Sequence, residues 1–179
     1  MDDKILIEEA KRRDGKAFEA LVQKYHNELY HTALGIVRSS WDAMDICQDT
    51  FLKAFSSLNK LRDPGKFRAW INRILINRCN DYFRHNQKVI VSGEIEREDF
   101  LKNENKNENE EAMDLLKTLS SLKKETRTVL VLRYFQDLSI KEIASIAGCP
   151  EGTVKSRISN GLKELRRLIN AENDMEVLE

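Results

Sequence analysis

Helix breakers are scarce in this chain, with two prolines and seven glycines in 179 residues. That scarcity excludes a fold of many short strands and tight turns, and the 34% of charged residues favours long helices instead. Cysteine is equally sparse. Cys47, Cys79 and Cys149 are an odd, widely spaced set with no CxxC pair and no histidine at ligand spacing. This excludes a disulfide framework and a zinc site, and leaves structural thiols in a reducing compartment. No apolar stretch approaches the length of a membrane span, and the opening MDDKILIEEAKRRDG lacks an apolar signal core, so the chain is expected to stay in the cytoplasm. His26, His31 and His85 are scattered, and the acids from Asp42 to Asp49 lie on an open helix face. Neither set makes the cluster that metal-assisted or acid–base chemistry requires, so no catalytic residue, metal, cofactor or small-molecule substrate is expected.

Net charge is absent too: thirty bases balance thirty acids. The balance is a cancellation between segments rather than an even mixture. From Lys60 to Lys88 eight bases face only Asp63 and Asp81, and from Glu151 to Asn170 five bases face Glu151 and Glu164. Between them, from Glu94 to Asp114, nine acids outnumber Arg97, Lys102 and Lys106. Two separate basic surfaces remain, which suits a polyanionic partner.

What is present is helical periodicity. Phe18, Leu21, Val22, Tyr25, Leu29, Ala33, Leu34 and Val37 recur at steps of three and four and predict an amphipathic helix over Ala17–Val37. A second helix is expected from Asp42 to Leu58, with Met44, Cys47, Phe51, Ala54 and Phe55 on its apolar side and Asp42, Asp45, Gln48, Asp49 and Lys53 on the other. The loop Asn59–Lys66 contains the turn signal Asp63-Pro64-Gly65 and opens into a third helix, Phe67 to His85. Phe67, Trp70, Ile71, Ile74, Leu75, Cys79 and Tyr82 form its apolar side, which places Trp70 in the core. Arg73, Asn77, Asn80 and Arg84 recur on the opposite side and alternate cations with amides.

Over residues 86–111 the helical pattern fails, and KNENKNENEE within them is low in complexity and without apolar residues, so the segment is expected to form a flexible acidic linker. At about 3.5 Å per residue it would reach on the order of 80 Å when extended. Four further helices are expected at Ala112–Leu122, Lys124–Phe135, Ser139–Ala147 and Gly152–Asn170, followed by a frayed acidic tail. The organisation expected is therefore all-α: a helical domain over residues 1–85, the linker 86–111, a second helical domain over 112–171, and a tail over 172–179.

The last two helices carry the sharpest motif. Ser139-x-x-Glu142 is a capping box, Gly148 supplies the turn, and Val154, Ile158, Leu162, Leu165 and Ile169 make the expected buried stripe. Lys155, Ser156, Ser159, Asn160 and Lys163 are left facing outward. A helix-turn-helix lays the N-terminal part of its second helix in the major groove, where amide, hydroxyl and cationic side chains meet base edges. Two rivals have clear tests. A receiver- or ligand-controlled helix-turn-helix regulator needs a second domain with alternating strands and helices, a pattern that residues 1–85 lack. A nuclease-like enzyme needs the carboxylate or histidine cluster already excluded.

The chain as a whole resembles bacterial RNA polymerase sigma factors of the extracytoplasmic-function class (group IV of the sigma-70 family). AFEALVQKYHNELYHTALGIV looks like region 2.1, WDAMDICQDTFLKAF like region 2.2, KFRAWINRILINRCNDYFRHNQ like regions 2.3 and 2.4, and the stretch from Leu115 through LSIKEIASIAGCPEGTVKSRISNGLKELRRLI like region 4. The resemblance implies a protein that binds core RNA polymerase and directs promoter-specific transcription initiation. It implies docking of the region 2.2 helix, through Asp42, Asp45, Gln48 and Asp49, on the clamp of the largest polymerase subunit, with a further contact to the flap. It implies capture of the melted minus-10 strand by the loop Leu61–Lys66 and by Asn77, Asn80 and Asp81, beside the basic stripe of Arg73 and Arg84. Leu61 stands where an aromatic residue is often found. Lys155, Ser156, Ser159 and Asn160 match positions that read the minus-35 duplex, with Arg157 and Lys163 on phosphates; Ser159-Asn160 departs from the aromatic or arginine often seen there. An anti-sigma factor, often membrane-anchored in this class, is the remaining partner implied.

Overall fold

The computed structural model describes residues 3–91 and 118–176, with side chains through residues 86 and 170. Among the described residues every long element is an α-helix and none is a strand. The chain divides into two compact units, Met1–Leu101 and Lys102–Glu179.

The first unit contains α1 (Asp3–Lys11), α2 (Gly15–Val37), α3 (Ser40–Ser57) and α4 (Phe67–Val91), with 3₁₀ turns at Leu58–Lys60 and Pro64–Lys66 between α3 and α4. Local chemistry sets the boundaries. Asp14 caps α2 by accepting from the amides of Lys16 at 2.9 Å and Ala17 at 3.3 Å. Arg38 closes it in a left-handed conformation, φ 67°, donating its amide to Leu34 O. Ser39 then caps α3 through the amide of Asp42. α2 is the central element: it packs on α1, α3 and α4, and residues Thr32 to Val37 are all buried. Leu21, Leu29, Ile36, Ile71 and Leu75 are almost fully removed from solvent, each contributing about 1.5–3 kcal/mol of burial free energy.

The second unit contains α5 (Lys124–Tyr134), α6 (Ile140–Ala147) and α7 (Glu151–Glu176), preceded by a helical turn at residues 118–120. Its core joins Val129, Leu130, Val131 and Leu132 to Leu119, Leu122, Leu138, Ile143 and Val154. Arg127 is buried within it and donates to the carbonyls of Leu122 at 3.0 Å and Ser120 at 3.3 Å, satisfying the end of the preceding turn.

Several expectations need correction. Residues 3–11, given no element from the sequence, form α1. No proline or glycine interrupts α4 after Phe67, so it runs on through Val91 and takes residues 86–91 out of the expected linker. The rest of that expected linker, 92–111, lies outside the described residues, as do the first six residues of the helix expected from Ala112. The tail from Ala171 is not frayed at its start, because α7 is helical through Glu176. Met44 and Phe55, expected on the core side of α3, are exposed. Leu162 and Ile169 are exposed as well, and the inward stripe of α7 runs instead through buried Val154, Gly161 and Leu165, with Ile158 and Leu168 half-buried along it. Gly161 is the crossing point: a Cβ there would stand 2.6 Å from Thr126 Cγ2 and 2.8 Å from Leu130 Cδ1 on α5.

Candidate functional site

Three solvent-facing surfaces carry distinct chemistry. The first is on α7. The capping box starts α6 as expected: Ser139 Oγ accepts from the Glu142 amide at 3.3 Å, and the Glu142 carboxylate accepts from the Ser139 amide at 2.9 Å. Gly148 closes α6 at φ 64°, and the amides of Thr153 and Val154 donate to Pro150 O as α7 begins. The turn is thus set by backbone chemistry, and α7 is held against α5 and α6. Lys155, Ser156, Ser159, Asn160 and Lys163 are all exposed and fall within an arc of about 140° at 100° per residue. Ser156 Oγ donates to Thr153 O at 2.9 Å, so its hydroxyl oxygen remains an outward acceptor. Arg157 does not share this face. It is half-buried and points back toward the turn, 3.7 Å from Cys149 Sγ, because its position lies about 60° outside the arc.

The second surface is on α4. Arg73, Asn77 and Arg84 are exposed and Asn80 is half-buried, and the four fall within about 60° of one another around the helix. Asp81 lies at the border and ion-pairs with both Arg84 and Arg78. Trp70 is not in the core. It is half-buried and precedes Arg73 and Asn77 on the same side of α4, its ring 5.9 Å from Phe67. Trp70, Arg73, Asn77, Asn80 and Arg84 therefore form one continuous stripe at steps of three and four. Beside it lies the loop after α3. Leu61, expected to offer a surface to a base, is 5% exposed and belongs to the core. Its amide donates to Leu58 O at 3.0 Å, which turns the side chain inward. Arg62 and Lys66 are exposed, and Asp63 Oδ1 accepts from the Gly65 amide at 2.9 Å, closing the turn between them.

The N-terminal helix reaches this loop. α1 packs on α2 and on both 3₁₀ turns. Asp3 accepts from Tyr25 Oη at 2.6 Å and from Lys24 Nζ at 2.5 Å. The Tyr25 ring meets the Phe67 ring edge-on at 5.2 Å, with the Arg68 guanidinium 5.6 Å from its centroid. Burial works against ionisation of Asp3, but the hydrogen bonds from Lys24 and Tyr25 and the charges of Lys24 and Arg68 outweigh it and hold the carboxyl below its usual range. Burial, reinforced by the Asp3 carboxylate, pushes the Tyr25 hydroxyl well above that of an ordinary phenol.

The third surface is on α3. Asp45, Gln48 and Asp49 are exposed. Asp42 is half-buried and accepts from Tyr82 Oη of α4 at 3.0 Å, which gives it a structural partner. The sequence reading missed the apolar members of this face. Trp41 is 74% and Leu52 65% exposed, and Met44 and Phe55 are exposed with them. Trp41, Asp45, Gln48, Leu52 and Phe55 follow one stripe at steps of three and four. The available signal was an excess of apolar residues on α3 beyond what one core-facing stripe can hold.

Among the described residues no group of three or more His, Cys, Asp or Glu side chains could hold a metal ion. The three cysteines are free thiols, and burial pushes the Cys47 thiol up to about 11. No described helix is long and apolar enough to cross a membrane.

Comparison with known proteins places these surfaces in a family. Residues 21–89 match the model for Sigma-70 region 2, and residues 112–165 match that for Sigma-70, region 4. The chain is 32% identical to RNA polymerase sigma factor SigV of Bacillus subtilis, covering 85% of this chain and 90% of that one. It is 33% identical to the ECF RNA polymerase sigma-E factor of Escherichia coli K12, covering 88% and 89%. Among solved structures it is similar to the sigma factor RpoE of Bartonella quintana in complex with the anti-sigma factor NepR, with a TM-score of 0.77 and 25% identity over 87% of this chain and 98% of that one. CnrH in complex with the cytosolic domain of CnrY is similar at a TM-score of 0.71 and 28% identity over 94% and 97%. Two separate regional matches in chain order, together with relatives above 30% identity along most of their length, show that the chain belongs to the extracytoplasmic-function family of sigma-70 RNA polymerase sigma factors.

Proposed function

We propose that this sigma factor divides its work among the three surfaces. α3 docks on the clamp of the largest subunit of core RNA polymerase, using Trp41, Met44 and Leu52 together with Asp45, Gln48 and Asp49. The α4 stripe and the adjoining loop hold the melted minus-10 strand, and the exposed face of α7 reads the minus-35 duplex. The observation that carries the reading is the contrast between faces. An apolar stripe such as that of α3 is unfavourable in water and suits a protein partner, whereas amides, hydroxyls and cations on α4 and α7 suit base edges and phosphates.

Single-strand capture requires a planar surface as well as cations. With Leu61 buried, Trp70 supplies that surface, at the head of the Arg73, Asn77, Asn80 and Arg84 stripe. Asp81 orients Arg84 through their ion pair. On α7, Lys155, Ser156, Ser159 and Asn160 face bases, and Lys163 faces phosphate. Arg157, half-buried and 3.7 Å from Cys149 Sγ, supports the turn from behind the reading face.

The protein acts in the cytoplasm as a non-catalytic initiation factor, with residues 1–91 as the polymerase and minus-10 domain and 112–176 as the minus-35 domain, which also meets the polymerase flap. An anti-sigma factor masks it until released; support comes from the similar structures of RpoE in complex with the anti-sigma factor NepR and of CnrH in complex with the cytosolic domain of CnrY. Run-off transcription of genomic fragments by core polymerase plus this protein is the test. Promoter-specific transcripts are expected. Lys155→Ala and Asn160→Ala should weaken them while leaving core binding intact, and Asp45→Arg should weaken core binding while leaving duplex binding intact. Absence of promoter-specific transcripts with the wild-type protein would overturn the reading.

A further inference from the structure

α1 lies outside the matched region 2, which begins at residue 21. Its contacts nevertheless converge on the loop between α3 and α4. Leu6, Ile7 and Ala10 bury one side of α1, and it packs on both 3₁₀ turns, Leu58–Lys60 and Pro64–Lys66. Lys4 Cε lies 3.9 Å from where a Cβ on Gly65 would stand. At the other end of the loop α4 begins with Phe67 and Arg68, whose ring and guanidinium both sit against Tyr25. Tyr25 in turn donates to Asp3, the first residue of α1, at 2.6 Å, while Arg68 is fixed by Glu28 at 3.0 Å. The chain from Leu61 to Lys66 is thus gripped on one side by α1 and at its exit by the ring pair Tyr25–Phe67, with Asp3 joining the two grips.

We propose that α1 is a positioning element for promoter recognition: the Asp3–Tyr25 clip fixes the loop Leu61–Lys66 in the geometry that selects the melted minus-10 strand. The inference deepens the minus-10 reading and rests on it. Asp3 and Tyr25 touch no DNA in this scheme. They act through the loop, where a displacement of about 1 Å degrades a preorganised site.

The test uses full-length protein assembled with core polymerase. The probe is a non-template-strand oligonucleotide copied from a promoter mapped by run-off transcription, together with versions carrying one wrong base in the minus-10 element. The quantity read is the ratio of affinities for matched and mismatched strands. Tyr25→Phe keeps the ring on Phe67 and removes only the hydroxyl, and Asp3→Asn removes the charge. Both are expected to lower the ratio about tenfold, with Asp3→Glu restoring part of it and Glu8→Ala, elsewhere on α1, leaving it unchanged. Lys4→Ala, an exposed substitution that folds even if the clip variants do not, should lower it about threefold.

A clip that only stabilised the fold would lower the melting temperature and the active fraction but leave the ratio unchanged, and that result overturns the inference. An unchanged ratio in Lys4→Ala together with either clip variant does so as well. If the wild-type holoenzyme itself fails to distinguish matched from mismatched strands, the minus-10 reading falls instead.

Discussion

α3 and α7 are both long helices with one stripe against a core and another facing solvent, yet their outward faces are opposites. On α3 the outer stripe is apolar, with Trp41, Leu52 and Phe55 at steps that also carry Asp45 and Gln48. On α7 it is cationic and amide-rich, with Lys155, Ser156, Ser159, Asn160 and Lys163. Their inward faces differ too. α3 packs Ala43, Ile46, Cys47, Phe51 and Ala54 in an ordinary interdigitated core, whereas α7 brings its backbone close to α5 by placing Gly161 at the crossing. The lesson is that the inward stripe decides the fold while the outward stripe, on the function proposed above, decides the partner, so that the two should be open to independent perturbation.

The largest expected effect tests the inward side. Gly161→Leu forces a side chain into the α5–α7 contact and should destabilise the second unit by about 3 kcal/mol. Calorimetry should show its transition falling while that of the first unit stays in place. A change within about 0.5 kcal/mol would mean that the helices can separate without cost. On the outward side, Leu52→Glu should cost about 2 kcal/mol of polymerase affinity, on the order of thirtyfold, with the melting temperature unmoved. Titration of labelled protein with core polymerase measures this; a fall in stability instead would make the stripe part of the core.

Smaller effects refine the picture. Ser139→Ala removes the hydroxyl of the capping box and should cost the second unit about 1 kcal/mol by denaturant titration. The smallest effect concerns Asp3. Its folded pKa lies below the unfolded value, so the stability it contributes is present above the unfolded pKa, near 4, and is lost as the pH falls through the folded one. Asp3→Asn should therefore flatten the acid limb of the first unit's stability curve, and an unaltered limb would remove Asp3 from that linkage.

Much of the fold was legible in the sequence because its helices begin and end with local chemistry. Asp14, Ser39, Ser139 and Gly148 mark termini that periodicity located within a few residues. What escaped has physical causes. α1 has only Leu6, Ile7 and Ala10 to bury, too few for a pattern, and it is held by partners distant in sequence. Periodicity reports which residues are apolar, and cannot say whether the surface that covers them belongs to the same chain. Met44 and Phe55 were therefore assigned to the core. Gly161 has no side chain to register in an apolar periodicity, and that lack is what lets the helices meet. Trp70 and Leu61 depart from expectation for a related reason. An aromatic residue is expected inside and the loop leucine outside, whereas the tertiary fold leaves Trp70 half-buried and takes Leu61 into the core.

The anchoring of that loop bears on how such a protein diversifies. Leu61 is locked in the core and Asp63 closes its own turn on Gly65, so the fold places no demand on the side chains of Arg62 and Lys66, both exposed. Substitutions there should alter stability by no more than about 0.5 kcal/mol. On the function proposed above, a duplicated copy of this gene could drift to a new promoter preference through those positions, with neither the helix proposed to meet the polymerase nor the packing of the domain needing to change.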